Sequence, residues 1–151
     1  NGSVVASGYS QFQNYDNGGG TTREGATPHD WALVELDSGK PFEWAVYVDR
    51  GLVDNIPEQS DVLAVGYPGG ADLNVTDGII SGRDPEELRT NASIDPGYSG
   101  GLLYAKDKQV ALGIISSTLS IDGRRATSVH NVVPIDLVLQ KIQDKGIVIP
   151  L

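Results

Sequence analysis

Ser99 lies among glycines in the run Asp95-Pro96-Gly97-Tyr98-Ser99-Gly100-Gly101-Leu102-Leu103. A serine in that setting can sit on a tight turn with its hydroxyl exposed. Glycine adopts backbone angles that other residues resist, and it lets a substrate come close to the main chain. If the turn has the right shape, the N–H groups of Gly97 and Ser99 point the same way. They would then form an oxyanion hole for the negative oxygen that develops when Ser99 attacks a carbonyl carbon. The same residues would also suit an ordinary glycine-rich hairpin. Gly97-Tyr98-Ser99-Gly100-Gly101 also fits the pattern G-x-S-x-G, which in an α/β-hydrolase lies between a strand and a long helix. Here the run continues into further apolar, β-like residues, so that fold is excluded.

The second chemically suggestive run is His29-Asp30-Trp31-Ala32-Leu33-Val34-Glu35-Leu36. An acid at the head of an apolar strand is often only a solvated strand end. Ahead of a reactive serine it acquires another use, since a carboxylate can hold and orient the imidazole that serves as general base.

Composition narrows the field. The chain has 151 residues, 39% apolar and 21% charged, and it reads as one globular domain. Its net charge of −9 repels phosphate backbones, so nucleic-acid binding is not expected. No apolar run is long enough to span a bilayer, and no membrane association is expected. Cysteine is absent, which excludes disulfides, thiol catalysis and cysteine-based zinc sites. His29 and His130 are the two histidines and show no metal-ligand spacing. Asp16, Asn17 and Glu24 do not match a calcium-loop pattern. Neither a metal nor any other cofactor is expected.

These residues need elements to position them. Short runs rich in Val, Ile, Leu and Tyr, bounded by Gly, Pro, Asp and Asn, predict strands at Ser3–Ser7, Trp31–Leu36, Val62–Gly66, Gly78–Ser81, Leu88–Ala92, Gly101–Tyr104 and Val110–Ser116. Evenly spaced strands of this kind predict an all-β sandwich or barrel. Tyr15–Pro28, with Asn17-Gly18-Gly19-Gly20, reads as a loop. One helix is predicted from Pro134, with Ile135, Val138, Leu139 and Ile142 at helical spacing and Gly146 as its stop.

Taken together, the runs resemble the trypsin-like peptidases, and within them the HtrA/Deg group. His29–Leu36 is similar to the "H-D-I-A-L-L-K-L" strand, and Pro96–Leu103 to the "P-G-N-S-G-G-P-L" nucleophile segment. Asp61–Gly70 resembles "V-L-A-I-G-N-P-F-G", and Val75–Ser81 resembles "V-T-A-G-I-V-S". Val110–Ser116 resembles "V-I-G-I-N-T", and Val132–Ile135 the "A-I-P-I" that opens the last helix. The resemblance implies a chymotrypsin-like double β-barrel with its first barrel incomplete, followed by a C-terminal helix. Residues 1–56 would be the remainder of the first barrel, 57–133 the second barrel, and 134–151 the helix and tail. It further implies a secreted serine endopeptidase, extracellular or periplasmic, acting on polypeptides through Ser99 with Asp30 orienting a histidine.

Two departures qualify what the resemblance implies. Tyr98 stands where trypsins carry the Asp that captures a new N-terminal ammonium, so activation by that ion pair should not apply. The family histidine lies upstream of the Asp, in a "T-A-A-H" or "N-x-H-V" context, and no such segment precedes Asp30. His29 neighbours Asp30, and adjacent strand residues face opposite ways, so it is not expected between Asp30 and Ser99. The histidine would come from a missing N-terminal segment or a partner chain. Otherwise the chain would be an inactive, peptide-binding relative. As a 151-residue chain it is expected to be nearly inactive.

By the same resemblance Ser93, Ile94, Ser116, Ser117, Thr118, Ser128 and His130 would surround the substrate pocket. No acid stands at its floor, so a preference for Lys or Arg is not expected. A small or medium apolar residue before the scissile bond is, with a glutamyl preference left open by His130. Asn1, Asn74 and Asn91 head glycosylation sequons, and Asn91 is expected to be too enclosed to be modified.

Overall fold

The computed structural model describes residues 2–8, 30–37, 48–49, 51–121 and 124–149, excluding the side chains of 117–121 and 124–128. The predicted loop Tyr15–Pro28, Asn1 and His29 lie outside these residues. The strands are β1 Gly2–Ser7, β2 Ala32–Leu36, β3 Asp61–Gly66, β4 Asn74–Asp84, β5 Glu87–Thr90, β6 Leu102–Ala105, β7 Val110–Ile121 and β8 Arg124–Pro134. Two helices accompany them, a single turn α1 at Leu52–Asn55 and α2 at Ile135–Asp144.

Six strands close into an antiparallel barrel in the order β3-β4-β5-β8-β7-β6, with β3 also paired to β6. Closure removes the unpaired edges that an open sheet exposes. The sequence dictates which faces turn inward. In β3, Val62 and Ala64 alternate with less buried Leu63 and Val65, the period-two pattern of a strand with one face in a core. The barrel interior is packed with Val62, Ala64, Ile80, Leu88, Leu103, Ala105, Leu112, Ile115 and Val132, joined by Tyr98 from the Ser99 loop. Each such aliphatic side chain contributes about 1.5–3 kcal/mol by leaving water.

β8 was not among the predicted strands. Its first half, Arg124-Arg125-Ala126-Thr127-Ser128, is polar and carries no apolar alternation. Its partners on either side, β5 and β7, supply the register that makes it a strand. β4 and β7 also run further than their apolar cores alone indicate. The helix begins at Ile135, with Pro134 as the capping residue before it, and ends before Gly146 at φ +76°.

β1 and β2 form a separate two-stranded antiparallel sheet. It is fastened to the barrel by a second apolar cluster in which Trp31 and Leu33 meet Ile114 and Val133 of the barrel and Val138 and Ile142 of α2. That contact carries Asp30, the residue before Trp31, to the outside of β7.

Candidate active site

The site forms where the β1–β2 sheet meets the barrel. Trp31 is 5% exposed and locked into the cluster with α2, so the start of β2 is held over β7. On β7 the pairing with β8 steps from Ile115–Val132 to Ser117–Asn131, leaving Ser116 as the extra residue of a bulge. A bulge re-aims the side chain at the unpaired position. The Ser116 hydroxyl donates to Asp30 Oδ2 at 2.5 Å. Its main-chain oxygen accepts a hydrogen bond from Ser99 Oγ at 3.0 Å. Asp30 and Ser99, 69 positions apart in sequence (99 − 30), are therefore each one hydrogen bond from the same residue.

The Ser99 loop is held from several sides. Tyr98 is fully buried in the barrel core, and its ring lies so close to Gly66 that a Cβ there would be 2.7 Å from it. Gly100 N–H donates to Ile115 O and Gly101 N–H to Tyr98 O. Pro96 O accepts from Gly69 N–H at 2.7 Å. Gly97 has φ +109°, and a Cβ on it would stand 2.5 Å from Tyr67 O. Both facts require glycine. Ser99 is left exposed at the surface. Among the hydrogen bonds of the described residues, none commits the N–H of Gly97 or Ser99 to a protein acceptor.

The remaining residues expected at the pocket are spread around this centre. Ser93 is exposed, and its carbonyl accepts from Thr76 Oγ1 at 2.7 Å. Ile94 belongs to the barrel core. His130 is buried on β8, in register with Thr90 of β5 and Thr118 of β7. Ser117 lies on the same stretch of β7 and Ser128 on β8. Ser116 sits at the Asp30–Ser99 junction. Reading it as a pocket residue missed the bond of its hydroxyl to Asp30, which depends on a bulge that no local pattern announces. Asn91 is exposed rather than enclosed, with its side-chain oxygen accepting from Ile79 N–H. The correction arises because β5 ends at Thr90 and the chain leaves the sheet there. No group of three or more His, Cys, Asp or Glu among the described residues is arranged to hold a metal ion.

A closed antiparallel barrel carrying an exposed serine on a glycine-rich turn, with an aspartate from a second β unit beside it, matches a known class. The family model of the trypsin-like peptidase domain matches residues 2–114, and the chain belongs to that family. Within it the chain is of the HtrA type. It is 38% identical over 84 residues to a probable periplasmic serine endoprotease, DegP-like, of Pseudomonas fulva (strain 12-X), covering 50% of this chain and 17% of the relative. It is 34% identical over 102 residues to the DegP-like protein of Marinomonas sp. (strain MWYL1), covering 62% and 21%. Among solved structures, the HtrA-type protease AlgW with decapeptide superposes with a TM-score of 0.64 at 29% identity, over 78% of this chain and 37% of that one. AlgW with tripeptide gives 0.61 at 28%, over 78% and 41%. The chain thus spans about a fifth of the length of these curated relatives and about two fifths of these structures.

Proposed function

We propose that this domain is the serine-bearing part of an endopeptidase that hydrolyses peptide bonds through an acyl-enzyme on Ser99. Asp30 orients a histidine supplied from outside this chain, by an upstream segment or a partner chain. The observation that carries the reading is the double contact of Ser116, which holds the Asp30 carboxylate and the Ser99 hydroxyl at one place. An imidazole between them would accept the Ser99 proton on one nitrogen while its other N–H donates to Asp30. The proton then passes to the leaving amine, and water repeats the sequence to release the acyl group. Gly97 and Ser99 N–H groups receive the oxyanion in both halves of the reaction.

The β1–β2 sheet supports the need for further polypeptide. A two-stranded sheet is marginal by itself, and Val4, Val34 and Leu36 on it are large, apolar and exposed. The DegP-like relatives, described as periplasmic, favour a periplasmic or extracellular setting. The substrate is an extended polypeptide. Ser93, Ser117, Thr118, Ser128 and His130 surround the side chain before the scissile bond, with Ile94 behind them, which suits a small or medium apolar residue.

The test is covalent labelling with a fluorophosphonate. The 151-residue chain alone is expected to react weakly, because a serine without a base keeps ordinary hydroxyl reactivity. The full-length encoded polypeptide is expected to react readily, and Ser99→Ala to abolish the reaction. Persistent labelling of Ser99→Ala would refute the assignment. A full-length protein that binds peptide but never labels would instead identify an inactive, peptide-binding relative.

A further inference from the structure

We infer that the Tyr67–Gly70 turn is the positioning element of the oxyanion site, acting through the single hydrogen bond from Gly69 N–H to Pro96 O. The inference rests on the reading of Ser99 as nucleophile and adds the device that sets its Gly97 donor.

Pro96 O and the Gly97 N–H belong to one peptide unit. The described chain has no cis peptide bond, and in a trans unit the C=O and N–H point in opposite directions. Gly69 holds the Pro96 oxygen at 2.7 Å. The Gly97 N–H must therefore point away from the Tyr67–Gly70 turn. Were this unit rotated by half a turn, the bond to Gly69 would break and the positions of donor and acceptor would exchange. A carbonyl oxygen would then stand where the donor had been, and it would repel an oxyanion.

The turn is built to offer that one donor. Gly70 N–H closes onto Tyr67 O at 3.1 Å and Ala71 N–H onto Pro68 O at 3.0 Å. Those two bonds use up the neighbouring N–H groups, and Gly69 N–H is the one directed at the Ser99 loop. The two segments meet backbone to backbone. A Cβ on Gly97 would stand 2.5 Å from Tyr67 O and 2.6 Å from Gly69 N, so no side chain separates donor from acceptor. The device also fits the identity of residue 98. Tyr98 has no charge with which to anchor the loop through an ion pair. Orientation is left to neutral contacts: its ring against Gly66 on one side and the Gly69 bond on the other.

The bond can be removed without changing shape by placing glycolic acid at position 69 of the full-length polypeptide, which turns the Pro68–Gly69 amide into an ester and deletes only the N–H. The readout is hydrolysis of a p-nitrophenyl ester. The ester-linked protein is expected to lose about 10²–10³-fold in kcat, the usual effect of a lost oxyanion donor, with KM little changed. Gly69→Asn keeps the N–H. Asn tolerates the φ of +61°, and nothing lies within 4 Å of the added Cβ, so this variant is expected to keep most of its kcat. An ester-linked protein with unchanged kcat overturns the inference. So does an equal loss in both variants, which would make the turn's shape, not its hydrogen bond, the important property. Ser99→Ala, run alongside, separates the two layers. If Ser99→Ala still turns over, the nucleophile assignment fails. If Ser99→Ala is inactive while the ester-linked protein is fully active, only the positioning role fails.

Discussion

Ser116 donates its hydroxyl to the Asp30 carboxylate at 2.5 Å, joining residues 86 positions apart. Its own main-chain oxygen accepts from Ser99 Oγ, so side chain and backbone of one bulged residue serve the two groups on which the proposed chemistry depends. Ser116→Ala removes the first contact and leaves the second. A hydrogen bond to a charged group is worth about 1.5–3 kcal/mol, or roughly one to two powers of ten in rate. We expect kcat/KM of the full-length polypeptide to fall by that amount, with Ser116→Thr restoring part of it. Unchanged kinetics in Ser116→Ala would show that Asp30 does not depend on this contact.

Tyr98 buries a hydroxyl that has no hydrogen-bond partner among the described residues. An unsatisfied buried polar group costs about 1–3 kcal/mol. Tyr98→Phe should therefore be at least as stable as the parent in a denaturant titration. Tyr98→Ala should lose about 3–5 kcal/mol, the range for emptying an aromatic site in a core. A large destabilisation by Tyr98→Phe would mean that the hydroxyl is satisfied by a group outside the described residues or by water.

Val4 and Val34 face each other across the β1–β2 pair and are 64% and 46% exposed. If further polypeptide covers this sheet, the 151-residue chain alone should associate with itself through the uncovered surface. Sedimentation velocity should show a rise in average mass with concentration. Val4→Thr with Val34→Thr should reduce it while keeping the β-branched shape. A parent chain that stays monomeric throughout would remove this support for a missing covering segment.

Lys106 makes an ion pair with Asp77 at 2.9 Å. The hydrogen bond to Asp77, and then its charge, raise the Lys106 pKa above the ordinary lysine value. A raised lysine pKa means that the pair's contribution is complete below the unfolded-state value and is lost as pH rises through the folded one. Neutral pH lies well below that window, and both side chains are exposed, so salt should weaken the pair. NMR titration of Lys106 should show the raised midpoint, and Asp77→Asn should lower it. An unchanged midpoint in Asp77→Asn would exclude Asp77 as the cause.

Much of the barrel was legible because its strands carry their own instructions. β3, β6 and the first half of β7 bring apolar runs that end at glycine, proline or aspartate, and period-two burial needs nothing from elsewhere in the chain. The helix was legible for a similar reason, since Val138, Leu139 and Ile142 mark its buried face and Gly146 its end. The serine on its glycine turn and the aspartate ahead of Trp31 stood out by residue type and order. Other features depended on partners distant in sequence. β8 is polar where it begins and becomes a strand because β5 and β7 flank it. The exposure of Asn91 follows from where β5 stops pairing. The meeting of Asp30 with Ser116 required both a bulge in β7 and the packing of Trp31 against Val133 and α2. The Gly69–Pro96 bond likewise joins two loops that only barrel closure brings side by side. Residue types and local periodicity determine which groups are available and which faces are apolar. Register, bulges and the approach of distant backbone segments are set by packing over the whole chain, and they decide which of those groups meet.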